Sequence, residues 1–510
     1  MRPCPSRSQC YQRGEITTRI GFDTERKIKL KVMTKEEEDA IHWASLNLLW
    51  KTGMRIYSKE SLEILKANGA DVDFSQKLAR IPEHLVHEGL KRFPKAFDLC
   101  GRIKANDVKL DGRHVYFSTD ATGVATYDLE TGERRGSNKE DVKKVAILTD
   151  YLPGVAVFNP SVTPLEVPPH SHTLHELEVG LNYTEKHTMV EAVFIKDEAE
   201  VEIKMASLVT GGTKELRRRP IISSIMCCIF PLTLDGGAMD ASLTFAKAGV
   251  PVHLMSMPQA GTTAPITLAA DIAINNAEIL GANAILQLAA PGAPVLYSTV
   301  SSPMDLKTGG YGGGGRPETA LMNSAGVQMS KRYGMPSSPG SMGSMAKMTG
   351  PQIGHEHTLV PLTVALVGGD LLNGIGMLEG SKVLSFEQMM IDHEIATAVL
   401  RLVAGFSVND ETLSLSMIDR VGPRGNFLQE PHTYKHMKEI WDPTLSDLRP
   451  YDVWKASGAE TMQQVARKKA KEILAKHTPV PLDSGISKQL RGMVSDAEKK
   501  PFPKGTSENW

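Results

Sequence analysis

Three groups of residues in this chain have types and spacings suited to chemistry. His170, His172, His175 and Glu176 run as His-x-His-x-x-His-Glu, which offers imidazole nitrogens and a carboxylate to a metal ion. No fourth ligand stands at a fixed spacing from them, and a solvated helix start explains the run as well. His355 and His357 bracket Glu356 without forming His-Glu-x-x-His, and His432 and His436 share a helix face by their four-residue spacing. Cys227 and Cys228 are adjacent, so on a strand they point to opposite sides and do not share one ion. No tightly bound metal is expected. The third group is a loop in which every position from Gly309 to Gly315 is glycine except Tyr311. Gly312, Gly313 and Gly314 there permit close backbone approach to a flat or bulky ligand. No Gly-Lys-Ser/Thr follows, so the loop lacks the mark of a phosphate cradle.

Such residues need a scaffold, and a regular one begins near residue 113. Short apolar runs at His114–Phe117, Val155–Phe158, Thr188–Val193, Pro220–Ile225, Pro251–Met255, Pro294–Tyr297, Gly334–Ser337 and Asp370–Gly374 read as strands. Helical patterns follow them around 138–150, 171–185, 198–210, 237–248, 264–282, 317–332, 352–366 and 385–404. Eight strand–helix pairs are the count of a (β/α)8 TIM barrel, and mostly unalternating apolar strands suit a sheet buried on both faces. A doubly wound open sheet is the alternative. The division expected is a disordered arm at 1–33, an N-terminal helical cap at 34–112, the barrel at 113–405 and a C-terminal helical extension at 406–510. Met33 serves as well as Met1 for a start. In a barrel, chemistry sits at the C-terminal strand ends, which here carry Asp120, Asn159, Glu191, Cys227, Met257, Ser298, Ser337 and Glu379.

Bulk composition excludes several classes. Lys and Arg number 58 against 59 Asp and Glu, so there is no basic excess for nucleic acid. No apolar run approaches the ~18 residues of a membrane span. The five cysteines make no disulfide framework, which places the chain by default in a reducing cytoplasm.

Several short pieces, in order, resemble the trimethylamine methyltransferase family. They are Gly-Arg-Pro-Glu at 315–318, Tyr-Gly-Met-Pro at 333–336, Asn-Gly-Ile-Gly-Met-Leu-Glu at 373–379, Ser-Phe-Glu-Gln at 385–388 and Ile-Asp-His-Glu at 391–394. Thr52-Gly53, Gly69-Ala70-Asp71-Val72 and Arg80-Ile81-Pro82 extend the likeness into the N-terminal region, so that it covers roughly 34–500. The resemblance implies a barrel that passes a methyl group from a methylated amine to a corrinoid on a partner protein. A homo-oligomer is expected. No Asp-x-His-x-x-Gly run marks a corrinoid module within the chain itself. Trimethylamine-specific members carry pyrrolysine in the C-terminal half of the barrel, in a neighbourhood that corresponds here to Ser337–Gly350, and this chain holds only standard residues. A glycine betaine type of member, with a quaternary amine as substrate, is therefore the reading. A methylated ammonium needs aromatic faces. Phe117, Phe158, Phe194, Tyr297 and Tyr311 are the candidates, with Phe386 near the last loop. Glu191 and Glu379 would add attraction for the cation, and Arg316 would hold a substrate carboxylate. Gly312, Gly313, Gly314, Ser337 and Gly374 are the candidate corrinoid contacts. Two other readings stand beside this one: a catalytically silent member acting as a binding or assembly subunit, and a metal-dependent barrel enzyme such as a lyase.

Overall fold

Apolar runs that break at turn residues become the staves of a closed barrel. In the computed structural model, which describes residues 24–229 and 231–502, the strands are β1 His114–Thr119, β2 Val157–Phe158, β3 His187–Ala192, β4 Ile222–Cys227, β5 Val252–Ser256, β6 Val295–Thr299 and β7 Leu371–Ile375. Neighbours from β1 to β6 pair in parallel, and β7 returns to pair with β1 through Leu371 and Tyr116. The opening between β6 and β7 is filled by the extended segment 336–342. Ser338 and Gly340 donate their N–H groups to Tyr297 and Thr299 C=O, both at 2.9 Å, while Leu371 and Met342 tie the segment to β7 at 3.1 and 2.9 Å. Pro336 and Pro339 have no N–H to give, so this stave is held by isolated bridges instead of a continuous ladder. The strand expected at 334–337 is thus displaced toward the C-terminus. Gly334 does not enter it, because it caps the preceding helix at φ 64°.

Eight helices follow the staves: α1 Lys139–Tyr151, α2 His172–Tyr183, α3 Lys196–Thr210, α4 Gly236–Ala248, α5 Leu268–Ala289, α6 Pro317–Tyr333, α7 Pro351–Val367 and α8 Phe386–Val403. Their starts are capped as the residues suggest: Asn138, Asp235 and Ser385 each accept an N–H from the first turn of α1, α4 and α8. Strand residues alternate between two cores. Tyr116, Val157, Met189, Ile225, Leu296 and Leu371 pack together inside the barrel, sealed at its N-terminal end by Leu99, Val108 and Leu110 of a hairpin. Phe117 and Phe158 belong to an outer core against the helices.

α5 is buried around its whole circumference because it is enclosed by the barrel and by the helices Lys35–Asn47 and Glu83–Arg92. It carries two buried acids, Asp271 and Glu278, and the oxygens of Glu278 accept from Leu232 N–H at 2.7 Å and Ser256 Oγ at 2.6 Å. Burial outweighs both hydrogen bonds and pushes the carboxyl from an ordinary 4.5 up to about 8. A raised carboxyl contributes stability that is complete below its unfolded value and is lost as pH rises through the folded one. Glu278→Gln, which does not titrate, should therefore gain on the wild type by up to about 4 kcal/mol between pH 5 and pH 8. Urea unfolding at both pH values measures that gap; a gap that does not move with pH contradicts it.

Region 34–112 is not purely helical. Strands Met54–Ile56, Asp71–Asp73 and Leu78–Arg80 join Thr233–Leu234 in a small sheet. Residues 1–23, with Cys4 and Cys10 and most of the expected arm, lie outside the described residues. Residues 24–33 are not free: Thr24 pairs with Val115, and Leu30 N–H reaches Leu366 C=O at 2.9 Å. Toward the C-terminus, Met462–Lys476 lies against α8 and α1, and Ser484–Lys499 against α2 and α3. Among the described residues no helix is long and apolar enough to cross a membrane.

Candidate functional site

The C-terminal ends of the staves open into a mouth lined by acids and roofed by the glycine loop. Asp120 follows β1. Its Oδ2 accepts from Ser381 Oγ at 2.6 Å and its Oδ1 from Ala121 N–H at 3.0 Å. Burial raises its carboxyl against those two hydrogen bonds and against nearby His357. Glu191, on β3, is pushed up to about 8 by burial first and then by Glu176, while His172 and the Thr122 N–H oppose the shift. Cys227, on β4, is pushed up to about 12 by burial and then by Glu191, so it stays a thiol and makes a poor nucleophile.

The glycine loop is folded, and folded tightly. Gly310–Tyr311 pairs with Ser302–Asp305, which pairs with Gln259–Ala260, and this small sheet covers one side of the mouth. A second sheet, from Ala125–Tyr127, Arg134–Gly136, Met377–Leu378 and Val383–Leu384, covers another. A Cβ on Gly312 would meet Pro303 C=O at 2.4 Å, one on Gly313 would meet the Tyr311 ring at 2.0 Å, and one on Gly315 would meet Glu356 at 2.2 Å. These glycines are required because protein atoms fill the space that a side chain would take. Glu356 is itself anchored, accepting from Ser344 Oγ and from Met345 N–H at 3.2 Å. Gly315→Ala is accordingly expected to lift the roof, costing about 1–3 kcal/mol of stability and most of the activity. A variant with wild-type melting temperature and turnover would contradict the packing described.

The loop carries Tyr311 into the mouth. Its ring lies against Gly380, its hydroxyl faces Ser302 and stands near Asp120, and burial raises the phenol above its ordinary value. Backbone strain gathers nearby. Thr122 (φ 94°), Ser161 (φ 65°), Glu379 (φ 54°) and Ser381 (φ 63°) all hold left-handed conformations in the mouth loops. The Thr122 turn aims an N–H at Glu191 and the Ser381 turn aims a hydroxyl at Asp120, so the strain is retained where it positions donors.

The other expected residues are distributed differently. Phe117 and Phe158 face the helices, Phe158 so closely that a Cβ on Gly180 of α2 would meet its ring at 2.8 Å. Tyr297 is buried with its hydroxyl 3.0 Å from Asn276 of α5, again outside the barrel. Phe386 joins the outer core. Phe194 is 48% exposed beyond β3. Of the aromatic candidates, Tyr311 is the one the fold brings beside Asp120. Glu379 turns away to Arg134 at 3.3 Å, and Arg316 is an exposed side chain 3.8 Å from Asp305. Ser337 sits at the opposite end of the barrel, donating to Asp370 at 2.7 Å, because the stave begins there instead of ending. Gly374 (φ 121°) is a packing glycine: a Cβ would meet Met342 C=O at 2.4 Å.

The histidine run divides by helix face. His170 and His175 meet Glu498 of the C-terminal helix at 3.3 and 3.1 Å. His172 turns to the mouth, with Nδ1 3.1 Å from Glu176 and 3.8 Å from Glu191. Sequence reasoning passed over a second histidine. His357 is fully buried, its Nδ1 is 2.8 Å from Asp392 Oδ1, and Asp392 also accepts from Gly376 N–H and Gln388 Nε2, each at 2.7 Å. The Ile-Asp-His-Glu motif supplies Asp392, but nothing local in the sequence pairs it with α7.

Comparison with known proteins agrees with this architecture. The family described as "Trimethylamine methyltransferase (MTTB)" matches residues 6–500. A relative named trimethylamine methyltransferase MttB from Desulfitobacterium hafniense (strain DSM 10664 / DCB-2) is 36% identical over 91% of this chain and 93% of its own length. A glycine betaine methyltransferase from Desulfitobacterium hafniense (strain Y51) is 29% identical over 92% of this chain and 98% of its own. Among solved structures, the monomethylamine methyltransferase MtmB of Methanosarcina barkeri superposes with a TM-score of 0.52 at 12% identity, over 88% of this chain and 90% of that one.

Proposed function

Because the chain belongs to the trimethylamine methyltransferase family, we propose that it takes a methyl group from a quaternary amine of the betaine or carnitine type and delivers it to a corrinoid carried by a separate protein. The corrinoid, docked over the mouth, supplies the Co(I) nucleophile. Gly312, Gly313, Gly314 and Gly374 pack against protein atoms and Ser337 lies at the far end of the barrel, an arrangement that supports presentation of the corrinoid by a partner. The work left to this chain is to bind the cation, exclude water and hold one methyl group outward for in-line attack. Asp120 and Tyr311 suit that task, one by charge and one by the face of its ring.

The observation that carries the quaternary reading is the absence of any non-standard residue in the chain. A quaternary nitrogen leaves as a neutral tertiary amine with the electron pair of the broken C–N bond. A neutral tertiary amine would have to leave as an amide anion unless it first gained positive character, and an electrophilic residue such as pyrrolysine is suited to give it that. The relative named for glycine betaine supports the same class. A reducing cytoplasm, which preserves Co(I), is the compartment this activity requires.

Purified protein, a Co(I) corrinoid protein and a quaternary amine together should give a methylated corrinoid visible by absorbance. Omitting any one component should abolish it. Demethylation by this chain alone would reject the mechanism.

A further inference from the structure

The acids around Glu191 are buried with fewer hydrogen-bond partners than their oxygens can take. Glu176 is fully buried. One of its oxygens is 3.1 Å from His172 Nδ1, and the other has no hydrogen-bond partner. A buried carboxylate oxygen left without a donor is costly, which points to something that fills the place. The charged groups that weigh most on these acids are Glu198 for Glu176, and Glu176, His172 and Asp120 for Glu191.

We propose that His172, Glu176 and Glu191 form a binding site for a first-row divalent cation at the barrel mouth. One donor atom from each lies within 4.8 Å of the others. His172 Nδ1 stands 3.1 Å from Glu176 Oε1 and 3.8 Å from Glu191 Oε2. Ligands at ~2.1 Å from a tetrahedral ion are themselves about 3.4 Å apart, so these separations straddle the required edge. Two turn-related positions on α2 and one on a barrel strand make the set rigid, and the Thr122 N–H holds Glu191 in place. One imidazole with two carboxylates suits Zn2+ or Mn2+, and three protein ligands leave a coordination position for an exchangeable group. On the quaternary-amine reading, that group is the substrate's carboxylate. Arg316, exposed beside Asp305, is not placed to receive it.

The test uses the full chain, stripped with chelator and dialysed, then titrated with Zn2+ by calorimetry and measured for bound metal by mass spectrometry. One ion per chain is expected. Glu176→Gln and His172→Gln should each weaken binding at least tenfold, while Glu498→Gln, outside the triad, should bind as the wild type does. Thermal unfolding of the metal-free variants confirms that they fold. No stoichiometric ion, or equal binding by all four proteins, overturns the site. The readout needs no corrinoid or amine, so a failure of methyl transfer with Zn2+ binding intact would count against the substrate reading and not against the site.

Discussion

Asp120→Asn is expected to raise the KM for the amine about 100-fold while changing kcat much less. A carboxylate ~4–5 Å from a cation, at the effective dielectric of a half-enclosed site, is worth roughly 3–4 kcal/mol, and ~2.7 kcal/mol already corresponds to a hundredfold. The attraction acts on the bound substrate, whose positive charge fades as the methyl group departs. An interaction strongest in the ground state sets KM, and removing it does not slow the chemical step in proportion. The asparagine can still accept from Ala121 N–H, and Ser381 can turn its hydroxyl to accept from the new amide, so the loop should survive. Tyr311→Ala is expected to act in the same direction with a loss of about tenfold, since it removes one ring face. Steady-state kinetics against amine concentration, with circular dichroism to confirm folding, make the measurement. Wild-type KM in Asp120→Asn would show that this carboxylate does not face the cation.

How far the sequence reaches can be judged from single residues. Helix starts fell near residues that cap them through local chemistry, Asn138, Asp235 and Ser385, whereas Gly334, read as the start of a strand, caps the end of α6. The barrel was legible from apolar runs in regular succession. Strand facing was not. In a parallel sheet buried on both sides Tyr116 and Phe117 are equally apolar, and only the closed register sends the first inward and the second to the helices. That one ambiguity misplaced Phe117, Phe158 and Tyr297 in the aromatic set. The small sheets over the mouth were missed because their strands are two to four residues long, and the pairings that join their hairpins, Gln259 with Ser302 and Val383 with Ala125, cross long separations. His172 and Glu176 are four apart on one helix face, a local signal, but the approach of Glu191 from β3 depends on the fold.

The second large effect concerns the substrate. Glycine betaine, proline betaine and carnitine each carry permanent charge on nitrogen, so attack at methyl expels a neutral amine. Trimethylamine without an activating residue presents a barrier that positioning by Asp120 and Tyr311 does not remove. A rate ratio of at least 10³ between the best quaternary amine and trimethylamine is expected, equal to about 4 kcal/mol in the barrier. Sequence similarity to proteins named for trimethylamine does not bear on this barrier, which is set by the leaving group.

The most direct measurement is methyl transfer to a Co(I) corrinoid protein, followed by absorbance, with trimethylamine, glycine betaine, proline betaine and carnitine under one set of conditions. At least one quaternary amine should methylate the corrinoid while trimethylamine gives no change above background. Robust transfer from trimethylamine with none from any quaternary amine would contradict the account.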